Sequence, residues 1–169
     1  MIHKILRHGA EALHHPSALV TNFTLEIQSL IDDMVQTMYS ADGIGLAAPQ
    51  IGVALRIFVV DLSVGKNIDD LITFVNPILT KEEGTQLEEE GCLSLPGFNS
   101  KIIRPEKVTV TGLNREGDSH TIESAGLLAR AFQHEIDHLD GKLFVDRLKG
   151  LEKSLILRRV KKLSRTGKW

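Results

Sequence analysis

The segment FQHEIDHLDGKLF, residues Phe132–Phe144, contains two histidines four residues apart and a glutamate next to the first. In an α-helix four residues turn through about 400°, so His134 and His138 would lie on one face of the helix, one turn apart. This is the separation that two imidazoles need to bind one metal ion. Glu135 would lie beside the same ion, where a carboxylate can accept a proton from metal-bound water. The segment therefore predicts a metal-binding helix at the centre of the fold.

Length and composition predict a globular protein. The chain has 169 residues, of which 42% are hydrophobic and 25% charged, so we expect one domain over 1–169. No apolar run approaches the length of a membrane span, and the first residues resemble neither a secretory signal nor a transit peptide. The single cysteine, Cys92, excludes an intrachain disulfide. We therefore expect a cytoplasmic protein that does not associate with membranes.

The charge is distributed unevenly along the chain. From Arg147 onward there are nine basic residues and one acidic residue, whereas the rest carries eleven basic and 21 acidic residues. Such a basic tail is typical of a segment that binds a polyanion such as RNA. A solvated helix face rich in Lys and Arg is the alternative.

Hydrophobic periodicity predicts three helices. The first covers roughly 25–40, with Thr24 as its N-cap. The second begins near Ala125 and Gly126, contains the two histidines and ends at Gly141. Its apolar positions, which include Leu127, indicate burial. The third is LEKSLILRRVKKLSR, within a basic C-terminal extension over 149–169.

Strands are predicted between the first two helices. The segments LRIFVVDL, LITFVNPIL, KVTVTGL and SHTIES are rich in β-branched residues, and the turn NREGD joins the last two. The segment EEEGCLSLPG is turn-prone rather than strand-like. This order of elements predicts an α+β fold with mostly antiparallel sheets packed around the central helix.

The third metal ligand is expected upstream of the helix. A site with nitrogen and sulfur ligands needs at least three from the protein. The position where metzincins carry a third histidine is Phe144, and the only glutamate after Glu135 is Glu152, in the basic tail. Upstream, the candidates are Cys92, His120 and the N-terminal histidines, of which a thiolate is the strongest ligand for a divalent ion. The alternative for Cys92 is a small buried side chain.

Three segments together resemble the signature motifs of the peptide deformylase family. They are GIGLAAPQ (43–50), EGCLS (90–94) and QHEIDHLDG (133–141), in the order and compact spacing that the family shows. The resemblance extends over essentially the whole chain. It implies that Cys92, His134 and His138 bind one divalent metal ion, Fe²⁺ in the first place, with Zn²⁺, Ni²⁺ or Co²⁺ as alternatives.

The resemblance also implies a reaction and the residues that carry it out. The family hydrolyses the formyl group of N-formylmethionyl peptides, with Glu135 as the proton carrier and Gln50 and the Leu93 N–H as oxyanion donors. Gly45 would contact the peptide backbone. The methionine pocket would be lined by Ile44, Leu127 and Ala131. For Leu127 a plain core role also remains open.

Contacts around the ligands are expected as well. Glu90 and Arg104 would pair and brace the cysteine loop. Asp137 would either orient a ligand histidine or pair with Arg130. After the second motif the chain reads PGFNSKIIRP and lacks an arginine that many relatives carry there, so the contacts to the downstream part of the peptide stay open.

The resemblance further implies a monomer whose basic C-terminal helix docks on ribosomal RNA near the exit tunnel. Two other functions are conceivable. A catalytically idle relative would bind peptides or ribosomes without needing a glutamate beside two metal ligands. A small HExxH endopeptidase would need a further ligand downstream, and none is present.

Overall fold

The computed structural model describes residues 1–169 as an α+β fold in which four α-helices accompany seven strands. The helices are α1 (Leu25–Ser40), α2 (Gly126–Leu139), α3 (Phe144–Arg147) and α4 (Gly150–Arg165). The strands are β1 (Gly45–Ala47), β2 (Ile57–Val60), β3 (Ile72–Glu83), β4 (Gln86–Gly91), β5 (Asn99–Arg104), β6 (Lys107–Leu113) and β7 (Ser119–Ala125). Short 3-10 turns cover Glu11–Leu13, Ala48–Ile51 and Ile68–Asp70.

The strands form two separate antiparallel sheets. The larger has five strands in the order β1-β2-β3-β6-β7, and the smaller is the hairpin β4-β5. Every pairing between strands is antiparallel, as predicted. The turn after β6 closes where expected, since Asn114 N–H donates to Asp118 O at 2.8 Å.

Helix α2, which carries both histidines, packs against the larger sheet through aromatic contacts. The ring of Phe132 lies 5.8 Å from that of Phe58 on β2 and 5.4 Å from that of Phe74 on β3, measured between ring centroids. All three side chains are fully buried. Because residues 132 and 134 point to different sides of the helix, this packing presents the histidines to the hairpin β4-β5. Burial of ten of the fourteen helix residues confirms the predicted central position of the helix.

The predicted helices are confirmed with their boundaries. The Thr24 side chain accepts the N–H of Ile27 and caps α1. Gly141, with φ at +73°, follows the end of α2 in the left-handed conformation that glycine adopts most easily. The prediction of a turn-prone segment around Cys92 was wrong for its first residues, because β4 extends to Gly91 and pairs there with Asn99. The charges of this strand hid its alternation, since most of its side chains are exposed.

Helix α4 is amphipathic and packs on the rest of the chain. Ile156 and Val160 are buried in a core cluster with Leu13, Leu95 and residues of α3. The chain end is held too, since Trp169 Nε1 donates to His8 O at 2.8 Å. Its arginines and lysines lie mainly on the opposite, exposed face. None of the helices is both long and apolar enough to cross a membrane.

The substitution Phe132→Ala should destabilise the fold by about 3–5 kcal/mol, because it removes the ring that joins α2 to β2 and β3 and leaves a cavity. Urea unfolding followed by circular dichroism measures the change. The control Leu155→Ala truncates a side chain that is 54% exposed on α4, and it should cost less than about 0.5 kcal/mol. Similar losses in both variants would contradict the packing role of Phe132.

Candidate metal centre and substrate cleft

Three candidate ligand atoms converge between α2 and the loop that follows β4. The Sγ atom of Cys92 lies 3.2 Å from His138 Nε2, which in turn lies 3.2 Å from His134 Nε2. All three atoms lie within 4.8 Å of one another. The fold therefore brings together the three residues that were predicted as ligands, although 42 residues separate Cys92 from His134.

This arrangement fits a divalent ion. In a tetrahedral site with bonds of roughly 2.0–2.3 Å, the ligand atoms are separated by roughly 3.3–3.7 Å, close to the distances found here. One thiolate and two imidazoles also form a donor set that borderline-soft ions such as Fe²⁺ and Zn²⁺ accept. His120, another upstream candidate, packs on Phe74 at 4.3 Å between ring centroids, and neither it nor the N-terminal histidines take part in the cluster.

A buried carboxylate, Glu90 on β4, orients the first histidine. Its Oε1 lies 2.6 Å from His134 Nδ1, which leaves Nε2 of that ring free to face the other two ligand atoms. Arg104 donates to both Glu90 oxygens, at 2.8 and 2.5 Å, and Arg130 donates to Oε2 at 2.7 Å. Burial alone would raise the pKa of Glu90, but the hydrogen bonds from Arg104 and His134 outweigh it and hold this pKa well below its usual range. Glu90 is thus a carboxylate that keeps its charge inside the protein.

The predicted pairing of Glu90 with Arg104 is confirmed, whereas the expectation for Asp137 was wrong in both of its forms. Asp137 contacts neither histidine side chain, nor does it pair with Arg130. Instead Asp137 Oδ2 accepts a hydrogen bond from Arg104 at 2.9 Å, and each of the two Asp137 oxygens accepts one from Arg147 at 2.6 Å. Its place between the two histidines in sequence was misleading, because its side chain points away from them.

A cleft of about 360 Å³ opens beside the ligand atoms. It is lined by the first two segments that carry the family resemblance and by the exposed side of α2. Nine of the ten residues proposed for the site line it, namely Ile44, Gly45, Gln50, Cys92, Leu93, Leu127, Ala131, His134 and Glu135. The tenth, His138, is fully buried behind them.

Hydrogen-bond donors of two loops face this cleft. Gln50 Oε1 accepts the N–H of Ala47 at 2.8 Å, which turns the Nε2 group toward Cys92 Sγ at 3.7 Å and Ser94 Oγ at 3.2 Å. In the cysteine loop, Ser94 N–H donates to Cys92 Sγ at 3.4 Å and Leu95 N–H to Cys92 O at 3.0 Å. The N–H of Leu93 has no acceptor within the chain. Two donors are therefore available beside the ligand atoms.

Glu135 is buried at the edge of the cleft. Its side-chain oxygen Oε2 has no hydrogen-bond partner within the protein, and burial raises its pKa to about 7. A carboxyl group with this pKa can both accept and release a proton near neutral pH. Its neighbour across the cleft is Gly45, where an added Cβ atom would overlap Glu135 Oε1. The absence of a side chain at position 45 is therefore a steric requirement.

The apolar side of the cleft corrects one prediction. Leu127 was expected to be buried by its periodicity, but its side chain is 55% exposed at the mouth of the cleft. Ala131, one turn further along α2, is buried beneath it. Residue 127 lies in the first turn of the helix and lines the cleft, so the apolar pattern there reflects the cleft rather than the core.

Comparison with known proteins identifies the family. The sequence model of the polypeptide deformylase family matches residues 2–154. This chain belongs to that family. The peptide deformylase of Acidobacterium capsulatum is 49% identical over 169 residues, which is 100% of this chain and 99% of the relative. The relative from Thermodesulfovibrio yellowstonii is 48% identical over 158 residues, or 94% of this chain and 96% of its own.

Solved structures agree with this assignment. The crystal structure of a peptide deformylase from Legionella pneumophila superposes with a TM-score of 0.92 at 46% identity, covering 99% of this chain and 98% of that one. The polypeptide deformylases are metal-dependent hydrolases that remove the N-formyl group from nascent polypeptides, and this chain has the same activity. The α+β fold predicted from the sequence is that of the family.

Reasoning from the sequence missed part of this polypeptide deformylase site. Arg130 was assigned to the wrong carboxylate, and neither Ser94, which contacts the Gln50 carboxamide, nor Arg147 was noticed. No local pattern marks these residues, because their partners lie 44, 40 and 10 positions away in sequence. In the segment that lacks the arginine, Asn99 pairs with Gly91 in the hairpin.

The substitution Gly45→Ala should abolish most turnover and lower stability, because the new methyl group would overlap the fully buried Glu135 carboxylate. Thermal unfolding and formate release measure the two effects. The same change in a Glu135→Ala background serves as the control, since the opposing atoms are then gone. If Gly45→Ala costs the same stability in both backgrounds, the steric explanation is wrong.

Proposed function

We propose that Cys92, His134 and His138 bind the catalytic metal ion of this deformylase, and that the cleft beside them binds the formylated N-terminus of the peptide. The observation that carries this proposal is the convergence of one thiolate and two imidazole nitrogens on a point bordered by Glu135 and Gln50. The ion itself is Fe²⁺ in our proposal, by resemblance to the family. Zn²⁺, Ni²⁺ and Co²⁺ suit the same donors.

The reaction converts a formylated amine and water into formate and a free amine. When bound, the metal lowers the pKa of a coordinating water, so that the water becomes a nucleophile near neutral pH. Glu135 accepts the proton of this water at a carboxylate oxygen and passes it to the nitrogen of the leaving amine. Its pKa of about 7, raised by burial, suits both halves of this transfer.

Two donors stabilise the negative charge that develops on the formyl oxygen. The Gln50 Nε2 group and the Leu93 N–H would donate to that oxygen. Support comes from their surroundings, because Ala47 holds the Gln50 oxygen at 2.8 Å and the Leu93 N–H is unpaired within the chain. Neither donor has to break a backbone hydrogen bond in order to act.

The apolar cleft wall would bind the methionine side chain. Ile44, Leu127 and Ala131 are the proposed lining, and the exposure of Leu127 at the cleft mouth supports a contact with substrate. The peptide backbone would lie along Gly45, where the lack of a side chain allows close approach.

Replacing Glu135 by Gln should lower kcat by at least about 100-fold while metal content stays near that of the wild type, because the amide has the carboxylate's shape but cannot accept and release a proton near neutral pH. Formate release from N-formyl-Met-Ala-Ser and elemental analysis of the same anaerobic samples measure both quantities. Cys92→Ala serves as the complementary variant, since it should lose the metal itself. Full metal content in Cys92→Ala would show that the ligand assignment is wrong.

We further propose that residues 1–169 form one domain, whose extension over 149–169 docks on ribosomal RNA, and that the protein acts as a monomer in the cytoplasm. All three proposed ligands come from one chain, and Ile156 and Val160 anchor α4 to the body. This leaves an exposed face with Arg158, Arg159 and Lys162 available to bind phosphates.

The triple substitution of Arg158, Arg159 and Lys162 by Gln should weaken ribosome binding and lower the slope of log K against log salt by roughly 2–3. Substitution suits this test better than truncation, because truncation would expose the core that α4 covers. Lys4, Lys66 and Lys107, exposed elsewhere, are replaced by Gln in the control, which removes the same charge. Equal binding by the two triple variants would contradict RNA docking through α4.

A further inference from the structure

A continuous series of ion pairs joins the surface residue Arg147 to the proposed ligand His134. Arg147, on α3, donates to both oxygens of Asp137 at 2.6 Å. Arg104 Nη1 donates to Asp137 Oδ2 at 2.9 Å, and the rest of the Arg104 guanidinium binds Glu90. Glu90 Oε1 completes the series at 2.6 Å from His134 Nδ1.

Arg147 is the member of this series that solvent reaches. Its side chain is 41% exposed, whereas those of Arg104, Glu90 and Asp137 are 0%, 5% and 7% exposed. It lies in a surface groove with Arg56, Asp140 and Lys142, and this groove shares no lining residue with the substrate cleft. Any effect of Arg147 on the reaction therefore passes through the protein rather than through contact with substrate.

The charges explain why Arg147 matters to its neighbours. Arg147 is the only donor to Asp137 Oδ1, so its removal would leave a buried carboxylate oxygen unpaired. Leaving such a charge without its partner loses most of the stabilisation that offsets its burial. The Asp137 carboxylate could recover part of this only by drawing Arg104 toward itself. Because the same guanidinium binds Glu90, that shift would loosen Glu90 from His134.

We propose that Arg147 is a positioning residue of the metal centre. Arg147 balances the charge of Asp137, so that the Arg104 guanidinium stays hydrogen-bonded to Glu90. Glu90 then holds the His134 ring in the orientation that binds the ion. Hydrogen-bond partners of metal ligands typically change metal affinity about 10–100-fold when they are mutated. The inference rests on the proposed assignment of His134 as a ligand.

The test compares Arg147→Met and Arg147→Lys with the matched control Arg56→Met. Arg56 lies in the same groove and donates to Asp140 at 2.8 Å and to Leu139 O at 3.3 Å, at the end of the same helix. It makes no hydrogen bond or ion pair with Asp137, Glu90 or a proposed ligand. The control therefore removes an arginine and an ion pair from the same groove, with Arg56 17% exposed against 41% for Arg147, but leaves the series to His134 intact.

Each full-length protein is loaded with Co²⁺, its visible spectrum is recorded, and loss of the ion to excess EDTA is followed. Arg147→Met should lose Co²⁺ about tenfold faster than the wild type, with shifted ligand-field bands and a lower kcat at an unchanged KM. Arg147→Lys should lie between the two, because one ammonium replaces a two-pronged contact. Arg56→Met should match the wild type in spectrum and rate.

Three outcomes would overturn the proposal. If Arg147→Met and Arg147→Lys kept the wild-type spectrum and dissociation rate, Arg147 would act on stability alone. If Arg56→Met accelerated Co²⁺ loss equally, the effect would belong to the groove in general. Absence of a thiolate-to-Co²⁺ band in the wild type would overturn both this inference and the ligand assignment. Arg147→Lys keeps the test decisive should Arg147→Met not fold.

Discussion

The charged hydrogen bonds of Glu90 are the interaction on which the rest of the site depends. One carboxylate on β4 binds Arg104 on β5, and it also binds Arg130 and His134 on α2. These contacts hold the hairpin and the helix together at the point where Cys92 leaves the hairpin. Two of the proposed ligands therefore lie on a helix, the third lies on a loop, and the buried ion pair between them sets their separation. A carboxylate of this kind is costly to bury and is tolerated only because each of its oxygens is bound by donors.

The site combines a rigidly packed side with an open cleft. Aromatic packing of Phe132 against β2 and β3 fixes α2 on the sheet, and the series of ion pairs fixes the orientation of the His134 side chain. The cleft lies on the other side of the proposed ligands, where Gly45 leaves space for the Glu135 carboxylate and Leu127 offers an exposed apolar surface. Donors that are already oriented, such as Gln50 Nε2, need little rearrangement before the reaction. The chemistry of the family is thus supported by side chains that the fold holds in place before the substrate arrives.

Most of the regular structure followed from local patterns. Helices α1, α2 and α4 and strands β2, β3, β6 and β7 were expected because their apolar periods match a helix or a half-buried strand. Strand β4 was missed, since its run of glutamates at 88–90 lies on an edge hairpin where little side-chain burial reveals the alternation. Helix α3 has only four residues, too few for a helical period to be visible. For Leu127 the sequence left a core role open beside the pocket role, because an apolar residue looks the same in sequence whether a core or a substrate lies against it.

The sequence by itself determined the chemistry: two histidines one helical turn apart, a glutamate beside them, a single cysteine, and three motifs that resemble one enzyme family. Spacing along a helix fixes which side chains share a face, so these residues predicted a metal site before any fold was known. Only the tertiary structure decided the partners. In the fold, Glu90 rather than Asp137 is the hydrogen-bond partner of His134, and Asp137 pairs with Arg147. Cys92 Sγ lies 3.2 Å from His138 Nε2. The physical reason is that contacts between distant segments depend on how sheet, hairpin and helix pack in three dimensions, and no local pattern in a single sequence records that packing.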